Sequence, residues 1–473
     1  MNALPDIVRA AAVEHGMFPD GAPVVAMVSG GGDSVAMLRV LASGALGVTR
    51  DRVRVLHVDH MLRGAEAEAD AAFVQGLCDD LGVDCRVVRY DVAAFAEQEG
   101  LNLEDAGRQV RYRFAEQEAD AFADDLRVPR SVARIAVAHT LDDHIETFLM
   151  RMLQGSGASG LRGIRPVRGR VVRPLIAVRR SQVRQWLASN GWAWRDDATN
   201  EDLARTRAWI RAELLPLIET RFPAFVRTAG RMLEILRDED DLLQEMAEAF
   251  AHDFARIRAG RVEFDRGRMA TLSPAMARRT VRAAIAQAFP EAGRLEAEHV
   301  EAIVEGLACE DFARDLPHGL RAETEYGTLA VSRRGSAPAP VAPCLLEIPG
   351  EADLGPAGTI VARFGEPGDA PASRDVAVLD ADLLAAPLVV DAVRPGDRIQ
   401  PLGMRGTKKL QDVFVDAKVP RRLRAATPVV RTGDEVAWVA GLVVSERFKV
   451  TERTVRAAVL EWKRPSEGAT SET

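Results

Sequence analysis

The sequence predicts an α/β chain with a parallel-sheet N-terminal domain, followed by a helical domain and a small, mostly β C-terminal domain. Three observations carry this. Apolar strand runs alternate with helix patterns over the first ~200 residues, as in a parallel sheet with crossover helices. From about Arg221 to Leu307 apolar residues such as Met232, Ile235, Leu236, Leu242, Leu243 and Met246 recur at helical spacing. After a stretch at 334–343 rich in Pro, Ala and Ser come short β-type runs separated by Gly and Pro. At 473 residues the chain is too long for one core. The expected divisions are 1–215, 216–333, a linker at 334–343, 344–464 and a tail at 465–473.

In chain order, strands are expected at 24–28, 53–58, 85–90 and 135–138, and the helices that follow them at 34–41, 65–81, 103–122 and 141–153. Further β runs are read at 345–348, 359–364, 376–379, 429–431 and 436–444. In a sheet of this kind, functional residues gather at the carboxyl ends of the strands. Four groups fall there: a glycine loop, the segment His57-Val58-Asp59-His60, the residues after Tyr90, and His139.

The glycine loop, Ser29-Gly30-Gly31-Gly32-Asp33-Ser34, joins a buried strand to an amphipathic helix. Such a turn gathers backbone N–H groups and a positive helix terminus at one point, which suits phosphate. Glycines let the backbone approach an anion, and Ser29 and Ser34 add hydroxyls. Asp33 has the wrong sign for phosphate and suggests a bridging Mg²⁺ with oxygen ligands. Neither the Gly-Lys-Ser/Thr phosphate loop nor the dinucleotide fingerprint fits. The chain has five lysines, none before residue 400, so its first half must neutralise phosphate by other means.

Three further groups accompany the loop. Asp143 and Glu146 share one face of the helix at 141–153, with His139 just before it. Two acids there suit an ammonium group or a metal. Thr140 with Asp143 also reads as a helix cap, and both readings can hold together. Arg108 and Arg111 share a helix face, as neutralisers of phosphate charge or as surface partners of Glu104 and Asp105. His57 reads equally as a nucleotide contact or a hydrogen-bonded structural histidine.

The net charge is −8, but it is unevenly spread. Thirteen arginines face four acids between Thr147 and Arg211, and sixteen basic residues face nine acids between Asp391 and Arg464. Two basic zones separated by an acidic one suit an extended polyanion, or ordinary solvated surface. No apolar stretch approaches a membrane span, and no basic-then-apolar leader opens the chain. Cys78, Cys85, Cys309 and Cys344 form no C-x-x-C pair. A cytoplasmic protein is expected.

The loop resembles the SGGxDS signature of the PP-loop ATP pyrophosphatases, whose fold is adenine nucleotide α-hydrolase-like. Taken with His57-Val58-Asp59-His60, Arg108-Gln109-Val110-Arg111-Tyr112, the run 138–147, the run 155–161, Arg173-Pro174-Leu175 and Asp197-Ala198-Thr199-Asn200, the chain is similar to the tRNA(Ile)-lysidine synthetases. Its tail, through Gly403, Val419-Pro420-Arg421-Arg422-Leu423-Arg424 and Thr427-Pro428, resembles their C-terminal domain. The resemblance implies a reaction in two steps. ATP adenylates the C2 oxygen of the first anticodon cytidine of a CAU-anticodon tRNA(Ile), and the ε-amine of free L-lysine then displaces AMP.

On this resemblance Ser29, Gly30, Gly31, Gly32, Ser34 and His57 would bind ATP, with Asp33 on Mg²⁺. Asp143 and Glu146 would bind lysine, and one of them or His139 would take its proton. Arg108 or Arg111 would stabilise charge during adenylation. Arg205, Arg207, Arg211, Lys408, Lys409, Arg421, Arg422 and Arg424 would hold tRNA. A homodimer is compatible with the family. Thr140, Ala208 and Asp59 depart from its usual residues. Two alternatives stay open: a tRNA thiolation enzyme, which would need a reactive cysteine pair or iron–sulfur ligands near the loop, and a non-catalytic RNA-binding protein with a vestigial loop.

Overall fold

The computed structural model describes residues 4–62, 64–195, 206–258, 260–293, 295–368 and 373–464. The chain forms two compact units, residues 1–242 and 243–473. The motif at Asp197 to Asn200 and the candidate Arg205 lie outside the described residues.

The first unit is built on a six-stranded sheet. β1 (Val24–Met27), β2 (Val53–Asp59), β3 (Asp84–Arg89), β4 (Arg134–Ala136), β5 (Val167–Arg168) and β6 (Val171–Val172) lie in the order β3-β2-β1-β4-β6-β5. All pairs are parallel except β5 with β6. β1 is central, with Val24 opposite Val53 on one side and Arg134 on the other, so its apolar run is covered on both faces. The winding reverses between β1 and β4. Their carboxyl ends therefore diverge and open the crevice that ligands use in such sheets.

Helices α1 (Leu4–Glu14), α2 (Gly32–Ala42), α3 (Ala65–Leu81), α4 (Val92–Glu99), α5 (Leu103–Asp125), α6 (Leu141–Leu153), α7 (Ala158–Leu161) and α8 (Arg180–Ser189) accompany the sheet. The chain then forms α9 (Thr206–Trp209), one π-helical turn (Ile210–Leu214), α10 (Leu215–Arg221) and α11 (Phe225–Phe254). Ile145, Phe148 and Leu149 of α6 share a core with Ile210, Leu215, Val226, Ala229 and Leu233. That core fixes the face of α6 that carries Asp143 and Glu146.

The second unit contains α12 (Pro274–Ala288) and α13 (Ala297–Ala308), as the helical spacing predicts. It also holds an antiparallel sheet, not foreseen from the sequence, of strands Ala255–Arg258, Arg261–Asp265, Thr328–Arg333, Leu320–Glu325 and Ala313–Asp315. Beyond the linker, a five-stranded and a four-stranded antiparallel sheet enclose a core around Trp438 and Phe448. No helix among the described residues is long and apolar enough to cross a membrane.

Candidate active site

The glycine loop leaves β1 and becomes the first turn of α2, with Gly31 as the residue before the helix. Gly30 has φ +93°, where a side chain would be strained. Ser34 Oγ donates to the Gly31 carbonyl at 2.8 Å and accepts from the Ser29 N–H at 3.2 Å, so the two serines tie the loop into a ring. The N–H groups of Gly32, Asp33 and Ser34 head α2, where a helix has no internal acceptor to offer them. His57 is buried, and its Nδ1 lies 2.9 Å from the Val28 carbonyl, bracing the strand end that feeds the loop. Arg195 donates its backbone N–H to the Gly30 carbonyl at 3.0 Å, and Trp194 packs beside Gly32.

α6 starts where β4 ends. Thr140 caps it: its Oγ1 accepts from the Asp143 N–H, and Asp143 Oδ2 accepts from the Thr140 N–H at 2.8 Å. Capping therefore takes one oxygen of Asp143. The other, Oδ1, faces inward beside Glu146, which is fully buried. The cap and the acidic pair coexist.

Three guanidinium groups converge on these acids. Arg180, at the start of α8, lies 3.0 Å from Asp143, 3.2 Å from Glu146 and 3.3 Å from Asp33. Arg207 lies 3.0 Å from Glu146 and 3.4 Å from Asp143. Arg211 spans both oxygens of Glu146, at 2.7 and 3.0 Å. Arg207 and Arg211 thus face the acidic pair, although the resemblance assigns them to RNA. The wide turn that carries Arg211 ends at Leu214, two residues before Pro216, which has no N–H to return to the helix.

Electrostatics follow from this packing. Burial pushes the Asp33 carboxyl up to about 6, with Arg180 opposing the shift and Asp143 adding to it. Burial also works against ionising Asp143, but Arg180, Arg207 and the Thr140 N–H hold it below the usual carboxylate range. Burial lowers His139 to about 4. Its Nδ1 accepts from Arg173 Nε at 3.1 Å, which leaves the proton of the neutral ring on Nε2. His139 is thus set as a donor, not as a base.

Arg180 and Arg173 were not among the predicted site residues. Arg173-Pro174-Leu175 was noted as a motif, but no local pattern marks Arg180, which reaches Asp33 across 147 positions. Asp142 orients it: its carboxylate accepts from the Arg180 N–H at 2.7 Å and from Arg179 at 3.1 Å.

Arg108 and Arg111 are exposed on α5, and among the described residues neither forms an ion pair with Glu104 or Asp105. Asp105 instead accepts from the capping Asn102. Arg108 lies beside the Tyr112 ring and helps depress His139, so it faces the site. Gly107 gives His60 room to pack, since a Cβ there would stand 3.0 Å from its ring.

The C-terminal candidates separate. Arg422 binds Glu325 at 3.1 Å, Arg424 donates to Tyr326 Oη at 2.8 Å, and Lys408 pairs with Asp416. Arg421 and Lys409 are exposed. Cys78 and Cys85 are free thiols that lie near each other, but Cys85 lies at the amino end of β3, opposite the carboxyl ends that carry the loop.

A phosphate loop at the switch point of a parallel sheet, with an acid in its helix and a buried acidic pair beside it, defines an ATP-using enzyme of the PP-loop class. The family profile for the PP-loop domain matches residues 9–218, and that for the TilS substrate C-terminal domain matches residues 388–462. The tRNA(Ile)-lysidine synthase of Caldanaerobacter subterraneus subsp. tengcongensis is 34% identical over 455 residues, covering 95% of each chain. That of Geobacter sulfurreducens is 35% identical over 460 residues, covering 96% of each. A solved TILS C-terminal domain is 33% identical, covers 26% of this chain and 98% of its own, and gives a TM-score of 0.24.

The chain belongs to the tRNA(Ile)-lysidine synthase family. It is an ATP-using ligase of tRNA modification, and neither alternative, thiolation enzyme or vestigial binder, is supported.

Proposed function

We propose that the chain joins free L-lysine to C2 of the first anticodon cytidine of a CAU-anticodon tRNA(Ile), with the roles below. The observation that carries this is the meeting of Asp33, Asp143 and Glu146 on the single guanidinium of Arg180. It puts the phosphate loop and an ammonium-binding pair within one side chain of each other, as a reaction needing both ATP and an amine requires.

The N–H groups heading α2 and the hydroxyls of Ser29 and Ser34 bind the ATP phosphates. Asp33 Oδ1 is left open by the Arg180 contact, which uses Oδ2, so the carboxylate fits a Mg²⁺ held jointly with phosphate oxygens. A bound Mg²⁺ would neutralise charge on the departing pyrophosphate. Arg108, which faces the site, and Arg111, one helical turn further on and like it without an ion pair among the described residues, steady charge on the adenylated base. Asp143 and Glu146 take the lysine ammonium in place of Arg207 or Arg211. With His139 fixed as a donor, one of these carboxylates receives the proton that makes the amine nucleophilic.

The released arginines, together with Arg421, Lys409 and the regions 216–333 and 344–464, serve tRNA phosphates. Arg422 and Arg424 act by orienting the surface that carries Arg421. The protein works in the cytoplasm, and a homodimer is compatible with the family.

The test is pyrophosphate release from ATP with Mg²⁺, free lysine and tRNA, omitting each in turn and weighing the tRNA product. A tRNA-dependent mass gain of one lysine less water is expected. Release with no lysine incorporated would overturn the roles of Asp143 and Glu146.

A further inference from the structure

A cavity of about 200 Å³ lies in the first unit, between α1, α6 and α11, on the side of α6 away from Asp143 and Glu146. Its deepest charged residue is Arg237, which is nine-tenths buried. Arg237 forms no ion pair or hydrogen bond among the described residues, and its Nε is buried without a partner. Glu234, Asp238 and Asp241 act on it only from a distance, and a buried guanidinium with no direct partner is costly.

Besides the half-buried His15, the cavity is lined by the buried His144. Its Nδ1 accepts from the Ile164 N–H at 2.8 Å, so the neutral ring carries its proton on Nε2 and offers only a donor. The two buried polar side chains of the cavity, Arg237 and His144, therefore both present donors to it. Arg227 and Arg231 stand exposed at the mouth, one helical turn apart on α11 and without ion pairs among the described residues. Glu14 and Glu234 also line the mouth, but both are exposed, where solvent screens them.

We propose that this cavity is a phosphate-binding site, separate from the glycine loop, with Arg237 and the His144 Nε2–H as interior donors and Arg227 and Arg231 at its entrance. Two buried donors select an acceptor, three guanidiniums select an anion, and the volume accommodates a phosphate group. The source of that group is free inorganic phosphate or a phosphodiester of bound RNA.

Inorganic phosphate would be titrated calorimetrically into the full-length protein, with its glycine loop first saturated by a non-hydrolysable ATP analogue and Mg²⁺. One equivalent should bind, and both Arg237→Gln and the exposed double variant Arg227→Ala/Arg231→Ala should weaken it roughly tenfold or more, as loss of charge-assisted bonds does. Repeating the titration with tRNA bound separates the sources: displacement by tRNA identifies an RNA phosphodiester, and simultaneous binding identifies free phosphate. The double variant alters only exposed side chains, so misfolding of Arg237→Gln does not remove the test. The proposal is overturned if phosphate fails to bind the wild type, or if the double variant binds it unchanged.

Discussion

Two charge clusters, one in each unit, show how differently buried ions can be used. In the second unit Arg431, 1% exposed, donates to Asp391 at 2.7 Å, to both oxygens of Asp397 at 2.9 and 2.6 Å, and to the Ala392 carbonyl at 3.3 Å. Its donors are used in one rigid arrangement. Around α6, one oxygen of Asp143 is shared by Arg180, Arg207 and Arg211 at 3.0, 3.4 and 3.5 Å, and the last two arginines are about a third exposed. Shared, partly wet contacts are easily exchanged for another cation, whereas saturated, dry ones are not. The first cluster holds a fold together. The second is a place where a substrate ammonium can compete.

The largest effect should come from breaking the closed cluster. Arg431→Met leaves two buried carboxylates without their partner and should cost about 3–5 kcal/mol in denaturant unfolding. Pyrophosphate release per folded molecule should stay near wild type. A loss of activity without a loss of stability would erase the distinction.

Glu146→Gln tests the open cluster. Lysine incorporation should fall roughly 100- to 1000-fold, mainly through lysine KM, because an amide cannot pair with an ammonium. ATP binding, read by fluorescence of an analogue, should be retained. An unchanged lysine KM would remove Glu146 from the substrate site.

Asp33→Asn should separate stability from activity. The folded carboxyl titrates near 6 against an unfolded value of 3.8, so the native state binds more protons between those values. The stability this gives is fully present below the lower value and lost as pH rises through the upper one. The variant should be more stable than wild type by about 2–3 kcal/mol above pH 6, with the gap closing toward pH 4, while Mg²⁺-dependent pyrophosphate release disappears. A gap that widens on acidification would contradict the assignment.

The smallest change should follow Thr140→Ala, at about 1 kcal/mol from the lost cap. Its effect on lysine KM should be slight, since Asp143 keeps the Oδ1 contacts. A large KM change would show that the cap and the ammonium site are one device.

How far the sequence carried depended on distance along the chain. The helices expected at 65–81 and 141–153 are observed as Ala65–Leu81 and Leu141–Leu153, and the first strand differs by one residue. The sheet over 255–333 was missed because runs such as Ala-Arg-Ile-Arg are short and alternate with charge, giving helical spacing nothing to compete with. Asp143 and Glu146 were legible as a pair on one face, but the arginines facing them were legible only as a basic zone.

By itself the sequence determined the strand, loop and helix at Ser29 to Ser34, the Thr140–Asp143 cap and the family motifs. Each is a local matter, set by backbone geometry within a few residues. Only the tertiary structure decided that Arg180 joins Asp33 to Asp143 and Glu146, that Arg207 and Arg211 turn inward, and that Arg173 holds the His139 lone pair. Those choices depend on where β1 and β4 diverge and on how α8 and the wide turn at Ile210–Leu214 pack against α6. Composition counts arginines, but burial and direction decide which carboxylate each one meets.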